Sequence, residues 1–519
     1  MPFLRLGLVT LLLATPLAAQ RAPFVVEEAT IGDIHAAMRA GRLSCRQLVN
    51  AYLQRIAAYD KAGPAVNAIV LVNPGALATA DSLDRVRARD GISTPLHCIP
   101  VIVKDNFETL DLPTTAGSLA LKECRPSRDA TMVQRVRAAG AVVLAKSNMA
   151  EWAFSPVETV SSVLPGYTHN PYALDRVTAG SSGGTAAAVA SSFGTVGLGT
   201  DTGNSIRGPS AHQALVGMRS TMGLTSRAGV VPLFLSQDIA GPMTRTVADN
   251  AAVFQIIVGD DPADAVTAAS RDRVIPRYAD SLSRTGLRGA RIGILRAAYE
   301  SPTLDSEVVS VFSRAVAALR SQGATVIDTV LIPGLDSIRR LQSGACSPFK
   351  FDVEHYLASV QGTPPPVKTV DEVVRSGKFH PSVQLRLQQA RDVTESPEAS
   401  AGCRAREAYR AALRVAVLQA MDDQRLDALV YPTWSNPPRL IGDLNTPAGD
   451  NSQVFSPATG FPAITVPMGY TRRVLPAGLQ ILGRPWSEGT LYRLAYAYEQ
   501  GTHHRRAPAS VPPLRQPRR

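Results

Sequence analysis

Short apolar runs alternate along this chain with stretches whose hydrophobic positions recur every three or four residues, and the two patterns predict different elements. Strands are expected at Pro100–Val103, Ala141–Leu144, Arg291–Leu295, Ala324–Ile327, Ala428–Tyr431, Ile464–Val466 and Leu479–Leu482. Helical spacing is clearest from Glu307 to Leu319, where Val308, Val311, Phe312, Ala315, Val316 and Leu319 share a face. Asp129–Ala139 reads as a helix stopped by Gly140 ahead of a strand, and Gly183-Gly184 opens an alanine-rich helix through Ala190. Strands that are apolar on both sides, interleaved with helices, predict an α/β fold around a buried sheet.

Between about residues 335 and 425 the pattern loosens. Pro364-Pro365-Pro366 and polar helical stretches there predict a loop-and-helix elaboration over the sheet, inside a single domain of residues 20–505. With 519 residues, 45% of them hydrophobic and 19% charged, the chain is long and apolar enough for a large core. No internal repeat is apparent.

The N-terminus adds a compartment. Arg5 precedes the apolar run Leu6–Ala14, and Pro16-Leu17-Ala18-Ala19 offers small residues for cleavage, so residues 1–19 read as a signal peptide. The run is too short to span a bilayer comfortably, which predicts a periplasmic or secreted protein with no transmembrane segment after signal removal; a retained membrane anchor is the alternative. In an oxidising compartment Cys45, Cys98, Cys124, Cys346 and Cys403 can form one or two disulfides, and the odd number leaves at least one thiol without an intramolecular partner. Buried free thiols are the alternative, and the cysteines and histidines lack metal-ligand spacing. Part of the net charge of +11 lies in a proline-rich stretch, residues 506–519, and the residues just before it: His503, His504, Arg505, Arg506, Arg515, Arg518 and Arg519. No nucleic-acid reader motif accompanies these charges, so they read as a solvated basic tail.

The chemistry concentrates in three places: Lys104-Asp105-Asn106 after an apolar run, Gly180-Ser181-Ser182-Gly183-Gly184-Thr185, and Asp201-Thr202-Gly203-Asn204-Ser205-Ile206-Arg207. A serine hydroxyl attacks a carbonyl poorly unless a neighbour takes its proton and returns one to the leaving group. The turn before Ser205 can aim backbone N–H groups at a developing oxyanion without a metal. A lysine serves as base only when neutral, which requires burial or nearby positive charge.

These segments resemble the amidase signature family, and the resemblance extends from Leu96-His97-Cys98-Ile99-Pro100-Val101-Ile102-Val103-Lys104-Asp105-Asn106 to Gly241-Pro242-Met243, reappearing in Gly460-Phe461-Pro462-Ala463-Ile464-Thr465-Val466-Pro467. The resemblance implies a central mixed, twisted sheet covered by helices on both faces. It implies Ser205 as nucleophile, Ser181 as a bridging serine on a cis peptide bond after Gly180, Lys104 as base, and an oxyanion hole from Thr202, Gly203, Asn204 and Ser205. Asn106, Thr178, Thr185, Asp201 and Arg207 take supporting roles, with Asp201 and Arg207 as a buried pair. Met149, Trp152, Phe154 and the segment from Val160 to Tyr167 are implied pocket elements, favouring apolar acyl or aryl groups. The implied reaction is hydrolysis of an amide C–N bond through an acyl-enzyme, without cofactor or metal. Its substrates are small-molecule or peptide amides, with esters and carbamates as further options, and the enzyme works as a monomer or homodimer. Ala179 and Asn204 stand where the family often has glycine, and Thr185 where serine is common; Asn204 is expected to narrow the acyl pocket rather than disable the turn.

Two rival readings remain. Gly180, Ser182 and Gly184 also satisfy G-x-S-x-G, the nucleophile elbow of an α/β-hydrolase esterase, with His212 or His355 as base. A catalytically silent binding protein on the same fold is the other.

Overall fold

The computed structural model describes residues 24–514; the expected signal segment and the final five residues lie outside them. The strands are β1 (Ile69–Val72), β2 (Pro100–Lys104), β3 (Arg125–Pro126), β4 (Val142–Ser147), β5 (Val196–Asp201), β6 (Val216–Arg219) and β7 (Ile239–Thr244). They continue with β8 (Arg291–Ile294), β9 (Thr325–Ile327), β10 (Gly362–Thr363), β11 (Ala428–Pro432), β12 (Ala463–Thr471) and β13 (Leu475–Leu482). One sheet of eleven strands runs β1-β4-β2-β5-β7-β6-β12-β13-β11-β8-β9, and β3 pairs with β10 in a separate ribbon. It is a mixed sheet surrounded by helices: β4, β2 and β5 are parallel neighbours, as are β11, β8 and β9, while the strands between them pair antiparallel.

All seven expected strands are present, as are the three expected helices, now Thr131–Ala138, Gly183–Ala190 and Ser306–Ser321. Of the eleven strands in the main sheet, the apolar pattern left out β1, β5, β6 and β7, and it also left out the short β3–β10 ribbon. In β5 and β7 the cause is packing so close that side chains are excluded. A Cβ on Gly197 would lie 2.5 Å from Thr185 Cγ2, and one on Gly241 would lie 2.5 Å from the Met218 carbonyl oxygen. Strands built on glycine carry little hydrophobic signal, yet these two are buried along their whole length.

Residues 335–423 carry five helices, Leu335–Leu341, Phe349–Ser359, Val370–Ser376, Gln384–Arg391 and Ala401–Asp423. Phe349, Val353 and Leu387 from this cover meet Met149, Trp152, Phe154 and Leu233 in an apolar cluster separate from the main core. Disulfides join Cys45 to Cys98 and Cys346 to Cys403, while Cys124 is a buried free thiol. Part of the expected solvated tail is instead packed. Arg505 pairs with Glu28 at 2.6 Å, and the buried Arg55 guanidinium donates to the carbonyls of Val511 (2.9 Å) and Pro512 (3.0 Å). Backbone carbonyls in a proline-rich segment accept these guanidinium donors and hold it against the body. Among the described residues, no helix is long and apolar enough to cross a membrane.

Candidate active site

Parallel pairing of β2 and β5 sets their C-terminal ends side by side, with Val101 opposite Val196 and Val103 opposite Leu198. Lys104 ends β2, and Thr200-Asp201 ends β5. Carboxyl ends of parallel strands are where open α/β sheets place their ligands, since the chain there turns off the sheet and leaves a crevice. The helix Gly183–Ala190 feeds into β5, bringing Ser181 and Ser182 to the same edge.

Lys104 Nζ lies 2.7 Å from Ser181 Oγ and 2.7 Å from Thr200 Oγ1, with both Lys104 and Ser181 fully buried. The Gly180–Ser181 peptide bond is cis. Burial drives the Lys104 ammonium toward its neutral form, and although Asp201 and Asp238 pull in the opposite direction, its pKa falls to about 7. Thr200 was not foreseen from the sequence. Its hydroxyl receives Lys104 and also Asn106 Nδ2 (3.2 Å), and Asn106 is held in turn by the Val231 carbonyl at 3.3 Å.

The turn after β5 is fixed from within. Asp201 Oδ2 accepts the backbone N–H groups of Ile206 (3.1 Å) and Arg207 (3.3 Å), and the carboxylate pairs with Arg207 at 3.0 Å and Arg219 at 3.1 Å. Burial alone would raise the Asp201 pKa, but the two guanidinium groups outweigh it and hold the carboxyl at about 2. Arg207 also donates to the Gly203 carbonyl at 2.6 Å, so the Asp201–Arg207 pair is buried and clamps both ends of the turn. Among the described residues, the N–H groups of Gly203, Asn204 and Ser205 meet no protein acceptor. Ser205, 5% exposed, hydrogen-bonds Asn204 Oδ1 at 3.3 Å and has no hydrogen bond to Ser181.

The remaining expected residues distribute as follows. Thr178 Oγ1 donates to the Ala179 carbonyl at 2.8 Å, and Thr185 Oγ1 lies 2.7 Å from Ser147 Oγ, so both brace the serine loop from behind. Asn204 Nδ2 donates to the Pro156 carbonyl at 3.1 Å. Met149, Trp152 and Phe154 are buried, with the Phe154 and Phe349 rings 4.7 Å apart. Their neighbour Ala153 reaches a small void that Asn106, Thr200, Thr202, Leu233 and Asp238 also line. Asp105 forms a buried pair with Lys146 at 3.4 Å, a partnership across β2 and β4 that the sequence did not announce.

Ser182 is occupied otherwise. Its buried hydroxyl donates to the Thr200 carbonyl at 3.1 Å and accepts the Thr200 N–H at 3.3 Å, which joins the helix start to β5. No histidine hydrogen-bonds it among the described residues. His212 stacks on Trp434 at 4.4 Å, and burial drives its pKa down to about 3. Cys45, His97 and Cys98 lie close enough together to suggest a metal set, but the two sulfurs are joined in the disulfide and leave only the imidazole.

Comparison with known proteins gives the family. Residues 47–492 match the amidase family. The chain is 34% identical over 508 residues to a probable amidase of Arabidopsis thaliana, covering 94% of this chain and 93% of that protein. It is 34% identical over 495 residues to a glutamyl-tRNA(Gln) amidotransferase chain from Moorella thermoacetica, covering 92% and 98%. The native peptide amidase structure from Stenotrophomonas maltophilia superposes with a TM-score of 0.84 at 37% identity, covering 93% and 98%. The chain therefore belongs to the amidase signature family and is an amide-hydrolysing enzyme.

Proposed function

We propose that this enzyme cleaves carboxylic amides through Ser205, Ser181 and Lys104 by way of an acyl-enzyme, with apolar acyl, peptide or aryl amides as its substrates. The observation that carries the reading is a fully buried lysine with a pKa near 7, hydrogen-bonded only to hydroxyls, at the edge of a turn rich in free N–H donors. Neutral Lys104 takes the proton of Ser181 as Ser181 takes that of Ser205, and the Ser205 oxygen adds to the carbonyl. The N–H groups of the Thr202–Ser205 turn receive the oxyanion. The proton held on Lys104 returns through Ser181 to the departing amine, leaving the acyl group on Ser205 for water to remove. The reading requires Ser205 to leave Asn204 for Ser181 when substrate binds, the stage at which catalytic hydrogen bonds commonly tighten.

The apolar cluster around Trp152, Phe154 and Phe349 supports an apolar acyl or aryl group, and the likeness to a peptide amidase supports peptide amides. Export is part of the proposal, supported by the N-terminal apolar run and by two disulfides, which persist in oxidising compartments. The test is release of ammonia or arylamine from matched primary amides, anilides and esters by the purified chain, with Ser205→Ala protein alongside. Release that vanishes in Ser205→Ala upholds the reading. Equal release from both proteins overturns it, as does release that needs Ser182 but not Ser205. No release from any amide would leave the silent binding protein, and ammonia release only from glutamine with amidotransferase partners present would move the chain toward the amidotransferases.

A further inference from the structure

The antiparallel ladder between β5 and β7 ends at the pair Asp201–Ile239. One step further out, the flanking residues are Thr202 and Asp238, and their side chains continue where the backbone pairing stops: Thr202 Oγ1 donates to Asp238 Oδ1 at 2.5 Å. The other carboxylate oxygen accepts the N–H groups of Leu233 (2.8 Å) and Phe234 (3.0 Å), so Asp238 closes a loop on itself while gripping the first residue of the nucleophile turn.

That loop is anchored from several directions. Arg219 and Arg410 donate to the carbonyls of Gln237 (2.8 Å) and Ser236 (2.9 Å), Arg227 donates to that of Leu235, and Asp352 accepts the Leu235 N–H at 3.0 Å. Arg410 and Asp352 belong to the helical cover, outside the Asp201–Arg207 clamp, while Arg219 of β6 joins the two supports by pairing with Asp201 and donating to the Gln237 carbonyl. Asp201 holds the turn from inside; Asp238 holds its outer edge.

We propose that Asp238 is a positioning residue for amide hydrolysis: it fixes Thr202, and through it the N–H donors of the turn. This rests on the Ser205–Ser181–Lys104 reading. Asp238 also shares a void with Thr200, the hydroxyl partner of Lys104, so its charge bears on the lysine as well. Asp201 and Asp238 are the two charged groups that act on Lys104, and both favour its protonated form. Asp238 itself faces Arg219 and Asp352.

The substitution Asp238→Asn separates this role from mere packing. The carboxamide oxygen keeps the two backbone donors of Leu233 and Phe234, and the NH2 group then faces Thr202, so the charge-assisted bond that the hydroxyl donates gives way to a weaker one that it accepts from a neutral amide. Thr202→Val removes the bond outright from the other end and leaves the charge. Kinetics on an acyl 4-nitroanilide are expected to show kcat about 10²-fold lower in Thr202→Val and a smaller fall in Asp238→Asn, with KM little changed in each, since misplaced donors cost transition-state stabilisation. The double variant is expected to be no worse than Thr202→Val alone, because both act on one interaction. Only Asp238→Asn is expected to move the acid limb of kcat/KM to lower pH, since neutral Lys104 then persists further into acid. Multiplying losses, unchanged kcat in either folded variant, or an acid limb that stays in place would overturn the proposal. If Asp238→Asn does not fold, kcat of Thr202→Val decides the positioning role. Wild-type activity that survives Ser205→Ala would instead sink the underlying triad, a result these variants cannot imitate.

Discussion

The ends of β2 and β5 and the helical cover of residues 335–423 are built on opposite terms. At the strand ends Lys104, Ser181, Ser182, Thr200, Asp201, Arg207 and Arg219 are buried, and their charges and hydroxyls meet one another or backbone groups. In the cover, the helix Leu335–Leu341 buries no residue, and Leu341, Leu385 and Val415 stand exposed. A buried polar network tolerates little change because each lost partner strands another group in low dielectric, whereas a partly exposed helix relaxes around a substitution. Reaction chemistry is therefore expected to reside in the first region and substrate choice in the second, where Phe349 reaches across to Trp152 and Phe154.

The largest expected effect comes from breaking the rigid side. Arg207→Met leaves Asp201 with one partner instead of two in a buried site, and loss of one member of a buried ion pair costs about 3–5 kcal/mol. Urea unfolding should record that drop, with activity lost alongside it. Lys104→Ala should spare the fold better, yet reduce turnover of an anilide far more than that of its matched ester, because an amine must be protonated to leave. Equal losses on the two substrates would deny Lys104 the proton transfer. In the unaltered enzyme the same group predicts a pH profile: Lys104 acts when neutral, so kcat/KM should fall as pH drops through about 7 and level off above it. A flat profile across that range would separate Lys104 from the chemistry.

On the permissive side, Phe349→Ala should raise KM about tenfold for amides with large apolar acyl groups and leave kcat for a small one nearly intact, the scale on which apolar pockets discriminate. A uniform fall in kcat would mean that the cover also positions the nucleophile. The smallest effect on activity belongs to Cys346→Ser. Opening the Cys346–Cys403 bond frees 57 residues of separation and should lower thermal stability by about 2–4 kcal/mol while the amide-to-ester ratio stays where it was.

Legibility in the sequence follows the same division. Val101, Ile102 and Val103 announced β2 because a strand buried on both faces must be apolar, and Gly180-Ser181 with Ser205 stood out because close backbone approach demands small residues. The strand that leads to the Ser205 turn was silent for that reason: in Val196–Asp201, glycines stand where neighbouring side chains from the helix and β7 fill the space. Thr200 and Asp238 carried no signal either. A threonine beside an aspartate is ordinary in any turn, and Asp238 lies 36 residues from the Thr202 that it holds, a distance only the β5–β7 ladder removes. The two disulfides were open for a similar reason, since separations of 53 and 57 residues say nothing about which sulfurs meet.

The packed C-terminal segment has a further consequence. The Leu514 N–H lies 3.3 Å from Glu27 Oε1, and Arg505 holds Glu28, so the two ends of the described chain lie against each other. The path of the polypeptide is nearly a ring. A short peptide joining residue 514 to residue 24, with new termini cut into an exposed loop of the helical cover, should give a circular permutant with the sheet and its reactive edge undisturbed.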